Sequence, residues 1–229
     1  MHPLLQSVTI MKNKLLNLEE GGICLDIFTL PNDMQIYSSS NFSKVLCVAL
    51  TEQEMKYLIE NSPTRPSVRI GKWNLYSKYE QTYFDSFIVF SDEKVNISCA
   101  WIYLYRSDMN DSQFEHLIQI IYNRSTTLSK LYIFGVDRDI ASQYVMSNVV
   151  YTDKQNNMIM HYHKQSIKTI SLNSVINICY RNGFIMKNVL NGQDIIRETN
   201  VNCLPYDLWI SQTFFLIELN SKFHFKRDL

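Results

Sequence analysis

The chain has 229 residues, with 22 Lys and Arg against 22 Asp and Glu, so its formal net charge is zero. Hydrophobic residues make up 46% and charged residues 19%. This composition excludes a wholly disordered chain, a strongly basic nucleic-acid coat and an acidic solvating tail.

The N-terminal segment 1–20 is predicted to form an arm or helix that precedes a β core. It has no continuous apolar stretch and no small-residue cleavage site, so no signal peptide is expected. No apolar run approaches the roughly 18–20 residues of a transmembrane helix. The five cysteines lack C-x-x-C spacing, which indicates reduced, buried thiols and an intracellular, reducing location. No Pro-, Ser- or Gly-rich linker divides residues 1–229, and a single domain is predicted.

Local signals predict two helices. Thr51 and Glu54 form a capping box, and apolar residues at helical spacing follow. Ser112 and Glu115 form a second capping box at the start of an apolar stripe over 112–124. A third helix over 139–146 has a weaker stripe.

Most of the remaining chain is predicted to be strand, because short apolar runs alternate with turn residues. The segments 171–180 and 206–219 fit helix and strand equally well. The predicted strands are 23–30, 34–37, 44–50, 67–75, 82–90, 95–106, 131–135, 149–152, 158–163, 167–172 and 184–189.

The strand over 95–106 is the most informative, because its apolar pattern changes along its length. Alternate residues from Val95 to Tyr105 form one apolar face, and the other face turns apolar in the second half. Burial on both faces is typical of a sandwich or closed barrel. The fold is therefore predicted to be mainly β, a sandwich with two or three peripheral helices, with α+β as the alternative. The predicted core residues of this strand are Trp101, Ile102, Tyr103 and Leu104.

His161 and His163 are the only paired-histidine spacing. On a strand both imidazoles lie on one side, about 7 Å apart, but no third ligand is fixed near them. An exposed polar strand face is the favoured explanation of the pair, so no metal and no cofactor are expected. No nucleophile elbow, phosphate-binding loop or zinc-protease motif occurs, and an enzyme is not expected. A small nuclease or phosphodiesterase using these histidines stays an alternative.

Basic and aromatic residues are interleaved between 154 and 187, as in sites that bind single-stranded nucleic acid. A solvated surface would show the same residues. The candidate nucleic-acid-binding residues are Lys154, Lys164, Lys168, Arg181, Lys187, Tyr162 and Tyr180.

The segment 82–106 resembles the core of the thirty-kilodalton movement-protein superfamily of plant viruses, the tobamovirus type. Both have an apolar strand, a short polar break (Ser91-Asp92-Glu93-Lys94 here) and a second apolar strand that ends in a basic residue, Arg106. The segment 174–183 resembles the later apolar strand of that family. Tyr105 stands where the family has a near-constant Asp.

The resemblance implies a jelly-roll-like β-sandwich without catalysis. It implies a viral cell-to-cell movement protein that binds single-stranded RNA or viral nucleoprotein loosely and engages host proteins, with self-association possible. The implied location is the cell periphery or plasmodesmata. A matrix or accessory protein of a negative-strand RNA virus is the alternative, since size and β-richness also fit that class.

Overall fold

The computed structural model of the chain describes residues 3–19, 21–62, 68–72, 97–107, 109–125, 128–141 and 170–222. Within these residues the chain forms one mixed sheet of seven strands. The strands are β1 (Ile23–Ile27), β2 (Lys44–Ala49), β3 (Val68–Lys72), β4 (Ile97–Tyr103), β5 (Lys130–Val136), β6 (Phe184–Asn191) and β7 (Phe214–Ser221).

The spatial order of the strands is β3-β2-β1-β4-β5-β7-β6. The first five strands in this order pair in parallel, and β7 pairs antiparallel with both β5 and β6. The strand β4 therefore lies at the centre of the sheet.

Seven described α-helices accompany the sheet. They are α1 (Pro3–Leu16), α2 (Met34–Ser39), α3 (Glu52–Glu60), α4 (Asp111–Arg124), α5 (Leu172–Arg181), α6 (Gly192–Thr199) and α7 (Pro205–Ser211). Helix α1 packs against α6, and α4 packs against α5. No described helix is long and apolar enough to cross a membrane.

Local signals explain where some of these helices begin. Thr51 caps α3 by accepting a hydrogen bond from the Glu54 N–H, and the Glu54 carboxylate accepts from the Thr51 N–H, as predicted. The predicted start of α4 was wrong, because Asn110 and Gln113 form its capping box instead of Ser112 and Glu115.

The prediction of a mainly β, jelly-roll-like sandwich was wrong, and so was its α+β alternative. The chain is an α/β protein in which parallel strands alternate with helices. Trp101, Ile102, Tyr103 and Leu104 are all buried. Their burial on both sheet faces reflects a parallel sheet covered by helices, which produces the same continuous apolar runs as a sandwich strand.

The structure also decides several elements for which the sequence pattern gave a wrong or an undecided type. The predicted strand 34–37 is part of α2, and the undecided segment 171–180 is helical. The segment 206–219 contains all of α7 except its first residue, followed by most of β7. The N-terminal segment forms α1. The predicted strands 82–90, 149–152 and 158–163, and most of the predicted helix 139–146, lie outside the described residues.

Candidate functional site

The sheet has a topological switch point between β1 and β4. Along the chain, β1 is followed by β2 and β3 on one side, while β4 and β5 extend on the other side. In open α/β sheets the carboxyl ends of the strands at such a point border a crevice, and ligands bind there. In this chain the crevice is bordered by 28–33 after β1, 50–54 after β2 and 104–106 after β4.

The loop after β1 is tightly built although it has no glycine. Phe28 adopts a left-handed conformation with φ of 62° and is fully buried. The Thr29 N–H donates to the carbonyl of Val48 at 3.1 Å, and the Thr29 hydroxyl donates to the carbonyl of Asp26 at 2.9 Å. These bonds fix the loop against β1 and β2. Glycine is the residue that normally allows this conformation and the close approach of a phosphate-bearing ligand.

Arg106 crosses the crevice from the end of β4. Its Nη1 donates to the carbonyls of Phe28 at 2.6 Å and Thr29 at 3.0 Å. Its Nη2 forms an ion pair with Glu54 Oε1. The Arg106 side chain is only 8% exposed. One guanidinium therefore joins the carboxyl ends of β1 and β4 to the helix that follows β2, and we call this set of contacts the Arg106 lock.

The carboxylate of Glu54 has two separate tasks. Its Oε2 accepts from the backbone N–H groups of Leu50 at 3.2 Å and Thr51 at 3.3 Å, which caps α3. Its Oε1 holds Arg106. A carboxylate near the end of the second strand is the group that binds ribose hydroxyls in dinucleotide-binding α/β folds. In this structure that carboxylate is already engaged.

A buried charged cluster lies beside the same loop. The Lys12 ammonium on α1 is 2.9 Å from Asp26 Oδ2 and 2.6 Å from Asp33 Oδ2, and all three side chains are fully buried. The Tyr37 hydroxyl donates to Asp26 Oδ2 at 2.5 Å.

Aromatic rings enclose the Lys12 ammonium on its remaining sides. It lies 5.4 Å from the ring centre of Tyr37, 5.2 Å from that of Trp101 and 4.7 Å from that of Tyr103. The cluster thus presents the surroundings that stabilise an organic cation, namely carboxylates and π faces. The chain supplies the cation itself.

The cluster shifts the pKa values of its own members. Burial lowers the pKa of Lys12, but the charges of Asp26 and Asp33 outweigh burial and leave it raised, so the ammonium stays charged. Burial raises the pKa of Asp33, against the opposing effect of Lys12, and the neighbouring Asp26 raises it further. The physical cause is that one ammonium faces two carboxylates away from water.

The candidate nucleic-acid-binding residues lie elsewhere. Lys154, Lys164, Lys168 and Tyr162 are outside the described residues, as are His161 and His163. Arg181 pairs with Glu115 at 3.3 Å, and Lys187 pairs with Glu218 at 2.8 Å.

Tyr180 is 61% exposed, with the Lys222 ammonium 4.1 Å from its ring centre. Tyr180, Arg181 and Lys187 thus lie at the end of α5 and on the edge strand β6, away from the crevice.

The predicted self-association and reducing location stay predictions.

Sequence reasoning missed the residues that shape the crevice and the cluster. Asp26 had a detectable signal, because an acidic residue inside an apolar strand run needs a buried partner. Lys12, Asp33 and Arg106 had no local signal, since each meets its partners through the tertiary fold.

The chain matches no protein-family model. It matches no curated protein either. It is similar to several solved structures at low sequence identity.

A putative S-adenosylmethionine-dependent methyltransferase from Listeria monocytogenes is 13% identical, with a TM-score of 0.61 over 95% of this chain and 98% of that one. The N-methyltransferase NodS from Bradyrhizobium japonicum is 8% identical, with a TM-score of 0.59 over 96% and 97%. The plantazolicin methyltransferase BamL is 12% identical, with a TM-score of 0.59 over 94% and 85%. The chain therefore shares the α/β fold of these solved structures.

This fold overturns the expected resemblance to plant-virus movement proteins and, with it, the predicted non-enzymatic movement or matrix role. The predicted binding of single-stranded RNA, viral nucleoprotein or host proteins stays a prediction. The similar structures are named as enzymes, and they share one α/β architecture with this chain. The segment 174–183, thought to match a movement-protein strand, is mainly helix α5. The segment 82–96 lies outside the described residues.

In the conformation described here the crevice does not fit S-adenosylmethionine. The loop 28–33 offers no glycine for close approach, and the Arg106 lock engages both its carbonyls and the Glu54 carboxylate. The Lys12 ammonium neutralises the negative charges of Asp26 and Asp33, which lie beside this loop.

Proposed function

We propose that this chain is an enzyme that transfers a methyl group from S-adenosylmethionine. One observation carries the proposal: the strand order β3-β2-β1-β4-β5-β7-β6, with its switch point between β1 and β4. The low-identity likeness to structures named as methyltransferases supports it.

The crevice also supports a ligand with a nucleoside part. Its position at the carboxyl ends of the parallel strands is where α/β folds bind such ligands. Glu54 supplies a carboxylate beside that position, and the backbone carbonyls of Phe28 and Thr29 face it through their bonds to Arg106. These groups become available to a ligand when Arg106 leaves them.

The test has two parts. Binding of S-adenosylmethionine and S-adenosylhomocysteine is measured by calorimetry, with the parent chain and with Arg106→Ala. Transfer of label from methyl-tritiated S-adenosylmethionine is then measured into the small-molecule, protein and RNA fractions of a cell extract. We expect at least the Arg106→Ala variant to bind S-adenosylmethionine and S-adenosylhomocysteine. We also expect the tritiated methyl group to appear in one of the three fractions. No binding by either chain would overturn the proposal.

A matched control is Lys130→Gln. Lys130 forms a partly buried ion pair with Glu19 at the amino edge of the sheet, opposite the crevice. This variant loses an ion pair of similar burial, so it separates a general loss of stability from an effect at the crevice. Its binding should equal that of the parent.

A further inference from the structure

We infer that Arg106 is a ligand-displaced gate, which excludes ligands from the crevice until its guanidinium leaves Phe28, Thr29 and Glu54. This inference rests on the proposed function. Its basis is that one side chain occupies the three groups that border the switch point.

The first step is that the loop after β1 cannot open by itself. Phe28 is fully buried, and the two donors of Thr29, its N–H and its hydroxyl, are bonded to β2 and β1. Moving this loop would break the hydrogen bonds that Thr29 makes to Val48 and Asp26 at the carboxyl ends of β2 and β1. Access to the crevice therefore depends on side chains.

The second step is that Arg106 and Glu54 can separate without unfolding α3. The α3 cap uses Glu54 Oε2, while the ion pair with Arg106 uses Oε1. Glu54 is 24% exposed, so water reaches the carboxylate when the guanidinium moves away. A change of the Arg106 rotamer is then enough to leave Oε1 and two backbone carbonyls as acceptors in the crevice.

The third step is energetic. The guanidinium makes charge-assisted hydrogen bonds to three oxygens while largely shielded from water, and such bonds are stronger than exposed ion pairs. The closed state is therefore favoured without ligand. A ligand that binds only the open state has its apparent affinity reduced by the fraction of molecules that are open. Removing Arg106 removes that penalty.

The experiment measures the affinity for S-adenosylhomocysteine of the parent, Arg106→Ala, Arg106→Lys and Lys130→Gln. Circular dichroism confirms that each variant is folded. Arg106→Lys keeps the charge but lacks the planar fork that reaches three oxygens, so it tests the gate if Arg106→Ala does not fold. We expect both Arg106 variants to bind roughly tenfold or more tightly than the parent, with Lys130→Gln equal to the parent.

Different failures have different meanings. If the parent binds as tightly as the folded Arg106 variants, the gate is wrong and the proposed function stands. If neither the parent nor any folded variant binds, the proposed function and the gate are both wrong. Weaker binding by the Arg106 variants would instead make Arg106 part of the binding surface and would also overturn the gate.

Discussion

Lys12 Nζ and Asp26 Oδ2 lie 2.9 Å apart in the interior, and this contact joins the first helix to β1, the strand beside the central strand β4. A second carboxylate, Asp33, accepts from the same ammonium at 2.6 Å. The other oxygens of Asp26 and Asp33 accept no hydrogen bond from the described residues. The charge balance of the cluster therefore depends on one lysine.

We predict that Lys12→Met lowers the free energy of unfolding by about 3–5 kcal/mol, because two buried carboxylates lose their counter-charge. The measurement is urea unfolding followed by circular dichroism. Lys12→Met/Asp26→Asn/Asp33→Asn is the matched variant, because it removes the buried charges together. The triple variant should recover at least half of the loss. A Lys12→Met chain as stable as the parent would contradict the structural role of the cluster.

The stability of the fold should fall at alkaline pH. A neighbouring Cys99 side chain and burial raise the pKa of Cys24 above the usual 9.0, and burial raises that of Cys47. Burial likewise raises the pKa of Tyr37 and Tyr103 above the usual 10.0. In each case the folded state keeps a proton that the unfolded state releases.

The sign follows directly from this difference in bound protons. Each of these groups makes its full contribution to the free energy of unfolding at a pH below its pKa in the unfolded state. That contribution is lost as the pH rises toward the pKa of the group in the folded state. Above pH 9 the free energy of unfolding should fall by about 1.4 kcal/mol per pH unit for each titrating group. Urea titrations between pH 7 and 10.5 measure the slope. Cys24→Ala/Cys47→Ala should reduce the slope between pH 9 and 10, and an unchanged slope would exclude these two thiols as its source.

Alanine substitutions at two glycines with positive φ allow the cost of backbone strain to be measured apart from the cost of a steric clash. Gly21 has φ of 69° and open space around a built Cβ, whereas a Cβ on Gly183, with φ of 89°, would lie 2.6 Å from Tyr122 Cζ. We predict a cost of about 1–2 kcal/mol for Gly21→Ala from the left-handed backbone alone. Gly183→Ala should cost about 1–3 kcal/mol more, because the Tyr122 ring must move. Equal melting temperatures for the two variants would contradict this reading of the contact.

How far the fold could be predicted depends on the range of the interactions that fix each element. The α3 cap was predictable because Thr51 and Glu54 are three residues apart and bond only to each other's backbone. Strand β4 was predictable because its apolar residues fall within one short run. Neither signal carries information about which strands lie beside it.

The fold class was missed for this reason. A strand buried on both faces fits a β-sandwich and a helix-covered parallel sheet equally well, and only the helices decide between them. Several of these helices are short: α2 has six residues and α7 has seven. Such segments complete about two helical turns or less, so the spacing of their apolar residues is hard to distinguish from that of a strand.

The crevice was harder still to predict. Arg106 ended a predicted strand and had the pattern of an ordinary basic boundary residue. Its partners Phe28 and Glu54 lie 78 and 52 residues away along the chain. No local spacing links these three positions, so their meeting became visible only with the sheet order.

The position of β7 also determines when the fold can be completed. The edge strand β6 pairs with β7 alone in the described sheet, and β7 separates it from β5. During synthesis, β6, α6 and α7 leave the ribosome before the strand that attaches them to the rest of the sheet. The five parallel strands can assemble as the chain emerges, whereas docking of the β6 region must wait for residues 214–221. Until β7 pairs with β5, the edge of β5 is open to pairing with other chains.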